Sequence, residues 1–235
     1  MTALNVHGTT PLDAWRAGVT AVLHSREVFD LFTTIDAPTV FDRTWLDAHS
    51  PRSRGMAGDD LREVIKTIYP YELAERHPVR ADFYREYLKR HDRAMRFKRN
   101  RGTWGTYFER MIRFPDYPQA NQLETAIEKL VTWPTRSTSA LVFHLATPGR
   151  DRPRTRGGPC WHFGEIIWHE DDTLDLVVVY RNHDFYNKAL GNFIGLGQLL
   201  GFICNAAGKQ VGRLRCHSVR AYNGGKVRDM NILSA

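Results

Sequence analysis

The sequence predicts an α+β protein. Two observations carry this prediction: apolar residues recur at helical spacing in several segments, and runs rich in β-branched residues lie between turn signals in the second half. A chain of 235 residues with 42% hydrophobic and 25% charged residues is long enough to bury a sizeable core. We therefore expect residues 1–235 to form a single domain.

The helices are predicted from apolar stripes and from the residues that end them. Residues 12–32 have a mixed helical pattern, and Pro70 should break or kink a helix over residues 59–75. Further helices are predicted at residues 82–99, 121–132 and 192–207. Four glycines lie within the last of these helices or directly before it, which indicates very close packing or a ligand against the helix.

The strands are predicted from short apolar runs at residues 139–145, 160–169, 174–180 and 213–222. A turn at residues 170–172 joins two of these runs, so a hairpin is expected there. Before the hairpin, residues 149–158 have the composition of a loop. This loop carries an arginine at every second position: Arg150, Arg152, Arg154 and Arg156.

Composition excludes several classes of protein. The 33 basic and 26 acidic residues give a net charge of +7, which suggests a negatively charged partner. Three cysteines without a CxxC pair argue against a disulfide scaffold and against a metal site, and favour a cytoplasmic location. The longest apolar stretch, residues 193–207, is rich in glycine and broken by polar residues, so no membrane span or signal peptide is expected.

Chemically useful residues cluster in the C-terminal half. Cys160 begins a strand directly after the arginine-rich loop, and guanidinium groups stabilise a thiolate nucleophile. Arg181 and Asp184 follow the next strand, and Asn192 opens the glycine-rich helix with a donor and an acceptor that suit an amide-like ring edge. Each has a plainer interpretation: a small core cysteine, an Arg181–Asp184 ion pair, and a helix cap.

These residues and their spacing resemble thymidylate synthase. That family shows Pro-Cys, a hairpin, Arg-Ser-x-Asp and then Asn at the start of a helix, matched here by Pro159-Cys160, by residues 181–184 and by Asn192. The distance from Cys160 to Arg181 is one residue longer than in the family. The resemblance covers about residues 102–222 and is strongest over 159–208. Trp104-Gly105 is similar to the family's Tyr-Gly segment.

The resemblance implies a fold and a reaction. The fold would be a thymidylate-synthase-like single domain, a mixed sheet with flanking helices. The Cys160 thiolate would add to C6 of a pyrimidine nucleotide, and C5 would then take a one-carbon unit, methyl or hydroxymethyl, from 5,10-methylenetetrahydrofolate. Glu63 lies where the family's helix carries its catalytic glutamate and would move protons.

The resemblance also implies substrate contacts and a quaternary state. Asn192 would read the O4 and N3 edge of the base, Asp184 would orient the region that contacts the ring, and Tyr222 would bind the ribose. Arg181 would bind the phosphate, with Asn182 beside it in place of the family's serine. The family is an obligate homodimer through its sheet, so a homodimer is expected, with residues 174–180 in the interface.

Several family features are absent from the sequence. The paired arginines that reach across the family's dimer are replaced, with Arg136 alone nearby, and Arg220 stands in place of a histidine. We expect Arg154 and Arg156 to replace the missing phosphate ligands; a solvated surface loop is the alternative. The shielding Trp pair is absent, which favours hydroxymethylation, whereas Asn192 is the residue typical of a uracil substrate.

Two other functions stay open on the sequence alone. One is a member of the same superfamily that keeps the Cys160 chemistry but acts on a different substrate or needs no folate, in secondary metabolism. The other is a non-catalytic nucleic-acid-binding protein that uses the basic residues 89–101, although this segment is more simply a solvated helix face.

Overall fold

The structure, a computed structural model, describes residues 3–45, 61–98, 104–136, 139–151 and 158–225. The helices are α1 (Pro11–Ser25), α2 (Leu61–Ile68), α3 (Tyr71–Arg76), α4 (Arg80–Lys98), α5 (Tyr107–Ile112), α6 (Gln122–Thr132), α7 (Pro148–Asp151) and α8 (Ala189–Ala207). The strands are β1 (Leu4–Gly8), β2 (Glu27–Ile35), β3 (Val142–His144), β4 (Trp161–Trp168), β5 (Thr173–Tyr180), β6 (His183–Asp184) and β7 (Gln210–Tyr222).

The described strands form one open sheet in the order β1-β2-β7-β5-β4-β3, and β6 pairs with β7. The pairing is mixed: β7 runs antiparallel to β2 but parallel to β5 and β6, and β4 runs antiparallel to β5. The prediction of an α+β protein with a mixed sheet and flanking helices is therefore confirmed. The hairpin of β4 and β5 is also confirmed.

The segment 12–32 is the clearest departure from the predicted elements. Helix α1 ends at Ser25, and β2 begins two residues later at Glu27. Arg26, which follows the helix, has a φ of 62°, a backbone conformation that glycine usually adopts at the end of a helix. Because this residue is not a glycine, the sequence gives no signal that the helix ends there. The predicted break at Pro70 is confirmed, because helix α2 ends at Ile68 and helix α3 begins at Tyr71.

Helix α8 packs closely enough to need its glycines. A methyl group on Gly191 would lie 2.7 Å from Val64 Cγ1, and one on Gly195 would lie 3.1 Å from the carbonyl oxygen of Ile65. Both contacts are with α2, so the small residues let two backbones approach. The prediction of close packing is confirmed, and the two packed helices contribute Glu63 of α2 and Asn192 of α8 to the lining of one cavity.

By length and composition, α8 is the one helix within the described ranges that could cross a membrane, with a mean hydropathy of 1.3. In the fold, 72% of this apolar segment is buried. The buried core helix of a globular domain can have the same length and hydropathy as a membrane span. Its contacts in the structure are with other elements of the chain, chiefly α2, α1 and β7.

Candidate active site

A cavity of about 650 Å³ lies at one end of the strands, where β5 and β7 end and β4 begins. Six of the residues predicted from the sequence line it: Glu63, Cys160, Asn182, Asp184, Asn192 and Tyr222. They come from segments far apart in the chain, and the volume is in the range of small-molecule sites. The structure therefore brings most of the predicted site together.

Cys160 is held by its backbone at the entrance to β4. Its N–H donates to the Tyr107 hydroxyl at 3.1 Å, and the N–H of Trp161 donates to the same oxygen at 3.3 Å. Its carbonyl accepts the N–H of Arg181 at 2.9 Å. Because both sides of its peptide backbone are fixed, the half-buried thiol has a defined position in the cavity wall.

The expected stabilisation of the thiolate is outweighed by burial. Burial is the largest influence on the Cys160 thiol and raises its pKa above the usual value, although Arg181 and Lys188 act to lower that pKa. The prediction that a guanidinium lies near the thiol is thus correct for Arg181. The net pKa shift has the opposite sign to the one expected, because the buried thiolate loses more hydration than one exposed arginine restores.

Arg181 and Asp184 do not form the ion pair that the plainer interpretation required. The Arg181 Nε donates to the carbonyl oxygen of Pro159 at 3.1 Å, on the cysteine side. The Asp184 carboxylate instead accepts the N–H groups of Tyr186, Asn187 and Gly224, all between 3.0 and 3.2 Å. Asp184 thereby ties the turn before α8 to the chain that follows β7.

Asn182 and Arg220 are two departures from the family pattern that contact each other. The Arg220 Nη1 donates to Asn182 Oδ1 at 3.2 Å, and the guanidinium also pairs with Glu27 at 2.6 Å. The same guanidinium lies 4.7 Å from the ring centre of Tyr222. The two replacements therefore form one polar wall beside the predicted ribose-binding tyrosine.

Asn192 lies inside α8 rather than at its start, so the helix-cap interpretation is wrong. Helix α8 begins at Ala189, and the N–H of Asn192 donates within the helix to the carbonyl of Lys188 at 2.8 Å. The side chain is 5% exposed, and its Nδ2 donates to His183 Nε2 at 3.1 Å. The amide is therefore a buried, oriented group at the inner end of the cavity.

Glu63 projects from α2 at the other side of the cavity. Its side chain is 68% exposed, and its carboxylate is 3.5 Å from Lys66 Nζ. A carboxylate that reaches both the cavity and water can exchange protons with solvent.

Two of the predicted ligands within the described residues, Arg181 and Arg136, are not in the lining of this cavity. Arg136 is on the far side of α6, where it donates to the carbonyl oxygen of Glu170 at 2.7 Å, and the structure does not bring it to this cavity. Arg154 and Arg156 lie outside the described residues. Within the described part of the chain, no group of three or more His, Cys, Asp or Glu side chains is arranged to hold a metal ion.

Sequence reasoning missed several cavity residues. His183 is 1% exposed, and burial lowers its pKa to about 3. Tyr107 supports Cys160, and His91 lies 3.3 Å from Glu109 at the α4 side of the cavity. His91 follows Tyr87 by four positions on α4, so helical spacing from an apolar residue could have placed it on the inward face.

Comparison with known proteins identifies no family. No family model matches the chain, and no curated protein matches it. The function therefore has to be argued from the geometry of the cavity and the chemistry of its residues.

Proposed function

We propose that the chain is a thymidylate-synthase-like transferase that adds a one-carbon unit, methyl or hydroxymethyl, to C5 of a pyrimidine nucleotide. One observation carries the proposal: a nucleophilic cysteine, an oriented amide, a carboxylate and a tyrosine, predicted to act together, line one cavity. A cavity of about 650 Å³ is large enough for a nucleotide.

The first step is the addition of sulfur to the ring. The Cys160 thiol loses its proton to solvent at the cavity mouth, and Arg181 and Lys188 favour the anion. The thiolate forms a bond to C6, and the electrons of the C5–C6 double bond move toward O4. The Asn192 amide donates to that oxygen, so C5 becomes nucleophilic in a buried environment where a hydrogen bond is strong.

The later proton transfers involve Glu63. The C5 proton must leave after C5 has bonded to the one-carbon unit. A hydride from the bound folate would then complete a methyl group, or water would complete a hydroxymethyl group, as the S–C6 bond breaks and the C5–C6 double bond is restored. Glu63 borders both the cavity and water, so it can pass this proton to solvent. Asp184 contributes by holding the turn between Arg181 and Asn192 in one conformation.

The lining of the cavity supports 5,10-methylenetetrahydrofolate as the cofactor, which when bound would supply the one-carbon unit. Apolar and aromatic side chains line the region between α2 and α4, among them Leu73, Tyr87 and Trp104, which suit flat rings. Lys66, Arg76 and Arg90 border the same region and would pair with carboxylates of a glutamate tail.

We infer further that a second copy covers the open face of the sheet. A row of side chains crosses four paired strands through Phe32, His217, Val179 and Phe163. Phe32 is 38% exposed and stacks on His217 at 4.3 Å, and Val177 and Val179 of the predicted interface strand share this face with it. A Val179→Lys variant would then sediment as a monomer, whereas Val131→Lys on the exposed surface of α6 would leave the dimer intact.

The reaction is tested by release of tritium from C5-labelled UMP, dUMP, CMP and dCMP, with and without the folate. Cys160→Ser should abolish release, because an alcohol is a far weaker nucleophile than a thiolate. Cys204→Ala, a buried cysteine whose Sγ is 3.4 Å from the carbonyl oxygen of Gln210, should retain it. Release that survives in Cys160→Ser would overturn the proposal, and dependence on folate would support one-carbon transfer.

A further inference from the structure

One arginine outside the cavity contacts two side chains that line it. Arg220 and Tyr222 are two positions apart on β7, so their side chains leave the same face of the strand. The Arg220 guanidinium lies 4.7 Å from the ring centre of Tyr222, and its Nη1 donates to Asn182 Oδ1 at 3.2 Å. Tyr222 and Asn182 belong to the lining of the cavity, whereas Arg220 stands behind them.

Arg220 is itself anchored by a carboxylate from the neighbouring strand. Its Nε donates to Glu27 Oε2 at 2.8 Å, and its Nη2 is 2.6 Å from the same oxygen. Glu27 lies opposite Tyr222 in the pairing of β2 with β7. The carboxylate compensates the charge of the guanidinium and sets its orientation, so Arg220 acts here as a fixed hydrogen-bond donor to Asn182 rather than as a cation for a phosphate.

The arginine also determines which way round the Asn182 amide lies. A guanidinium has only donor groups, so the amide atom that faces Arg220 has to be the oxygen. The Nδ2 group then keeps both of its N–H donors, and it has no hydrogen-bond partner among the residues that the structure describes. Because Asn182 lines the cavity, these donors suit an acceptor oxygen of a ligand.

Tyr222 supplies the second polar group of this wall. Burial raises the pKa of its hydroxyl, so the group stays protonated at neutral pH and can both donate and accept. Tyr222 and Asn182 contact the same guanidinium, so they are neighbours in the cavity wall. An amide donor next to a phenolic hydroxyl matches two adjacent hydroxyls of a ligand, as on C2′ and C3′ of ribose, whereas deoxyribose lacks the first of them.

We propose that Asn182 determines specificity for the sugar, and that Arg220 positions it, so that the cavity prefers ribonucleotides to deoxyribonucleotides. Asn182 Nδ2 donates to the 2′-oxygen, and Tyr222 forms a hydrogen bond with the 3′-hydroxyl. Asn182 and Arg220 both replace residues of the family that the sequence resembles, so the preference comes from this chain's own substitutions. The inference rests on the proposed function for the presence of a nucleotide in the cavity; the contacts among the side chains do not.

Binding is measured by calorimetry with UMP, dUMP, CMP and dCMP in the Cys160→Ser background, where no reaction intervenes. For each base that binds, we expect the ribonucleotide to bind about tenfold more tightly than its deoxy form, because deoxyribose leaves the amide donor unpaired. Asn182→Leu keeps the size of the side chain and removes both polar atoms, so the affinities for the two sugars should become equal.

Arg220→Lys tests the positioning role. Lysine keeps the positive charge but lacks the planar fork, so the Asn182 amide loses its fixed orientation. The preference for the ribonucleotide should fall about three- to fivefold while the affinity for the deoxyribonucleotide stays the same, whereas a merely structural role would weaken both ligands alike. The matched control is Arg80→Lys, since Arg80 pairs with Glu124 at 2.6 Å away from the cavity lining and should leave the preference unchanged.

The outcomes separate the inference from the proposed function. Equal affinity for the two sugars, tighter binding of the deoxyribonucleotide, or a preference that survives in Asn182→Leu overturns the inference and leaves the proposed function standing. An unchanged preference in Arg220→Lys overturns the positioning role. Failure of all four nucleotides to bind overturns the proposed function together with the choice of sugar.

Discussion

The inner end of the cavity and its mouth are built in different ways. At the inner end, Asn192 and His183 are buried, uncharged and hydrogen-bonded to each other and to the sheet. At the mouth, Glu63 is 68% exposed, and the exposed residue Arg181 lies close enough to Cys160 to act on its thiol. Buried, uncharged groups with fixed hydrogen bonds can distinguish one ring from another at the inner end of the cavity. Exposed charged side chains at the mouth act instead on anions and protons, and solvent weakens their effect.

The largest effect is expected from His183, at the inner end of the cavity, on the pH dependence of the free energy of unfolding. The pKa of His183 is about 3 in the fold and 6.5 in the reference state, so below pH 6.5 the unfolded chain takes up a proton that the folded chain does not. The contribution is fully present above pH 6.5 and is lost as the pH falls toward 3. Between pH 6.5 and 4.5, the unfolding free energy should fall by about 2 kcal/mol more in the unaltered protein than in His183→Phe. Urea denaturation measures this, and equal slopes would contradict it.

Replacement of Asn192 by leucine should be the next largest effect. The change removes the donor–acceptor pair and leaves His183 Nε2 without its partner, so nucleotide affinity should fall about 30-fold, or about 2 kcal/mol. Calorimetry with UMP checks the result. Asn205→Ala, at an exposed position on the same helix, is the matched control and should bind normally. Unchanged affinity in Asn192→Leu would mean that the amide does not contact the base.

A smaller effect is expected from the charge of Arg181 on the reactivity of the Cys160 thiol. Burial raises the pKa of the thiol and Arg181 opposes that rise, so alkylation of Cys160 by iodoacetamide should accelerate as the pH increases. Arg181→Gln should slow alkylation at pH 8 by about three- to tenfold. Mass spectrometry of the Cys160 peptide follows the rate, with Arg213→Gln on the open face of the sheet as the control. An unchanged rate would show that solvent screens the guanidinium.

The smallest effect on stability is expected at Glu63. Its exposed carboxylate contacts only a lysine at 3.5 Å among the described residues, so Glu63→Gln should change the unfolding free energy by less than about 0.5 kcal/mol. Asp184→Asn should cost about 2 kcal/mol, since that carboxylate holds backbone N–H groups on both sides of the site. Similar losses in thermal denaturation would erase the distinction between the two carboxylates.

Residues with a strong local pattern were predictable from the sequence. The stripe of α2, the break at Pro70 and the strand β5 follow from spacing and from backbone limits that act within a few residues. The meeting of Cys160 with Asn192 could be expected only because the order and spacing of motifs resembled a family. Strand β2 was missed because Arg26 supplies a positive φ without a glycine.

His183 shows why the rest of the site could not be predicted. In sequence it is one polar residue between Asn182 and Asp184, and nothing local distinguishes a buried histidine from an exposed one. Its burial depends on Tyr180 stacking on one side and on Ser218 arriving from a distant strand. Contacts of this kind are set by tertiary packing, which periodicity does not encode.

The central place of β7 has a consequence for how the molecule folds. This strand is inserted between β2 and β5, and its Arg220 pairs with Glu27 across 193 residues of chain. Such distant pairing makes folding slow, because a long loop must close before the contacts stabilise it. Tyr222 reaches the cavity only when that strand docks, so the recovery of nucleotide binding during refolding would report closure of the sheet.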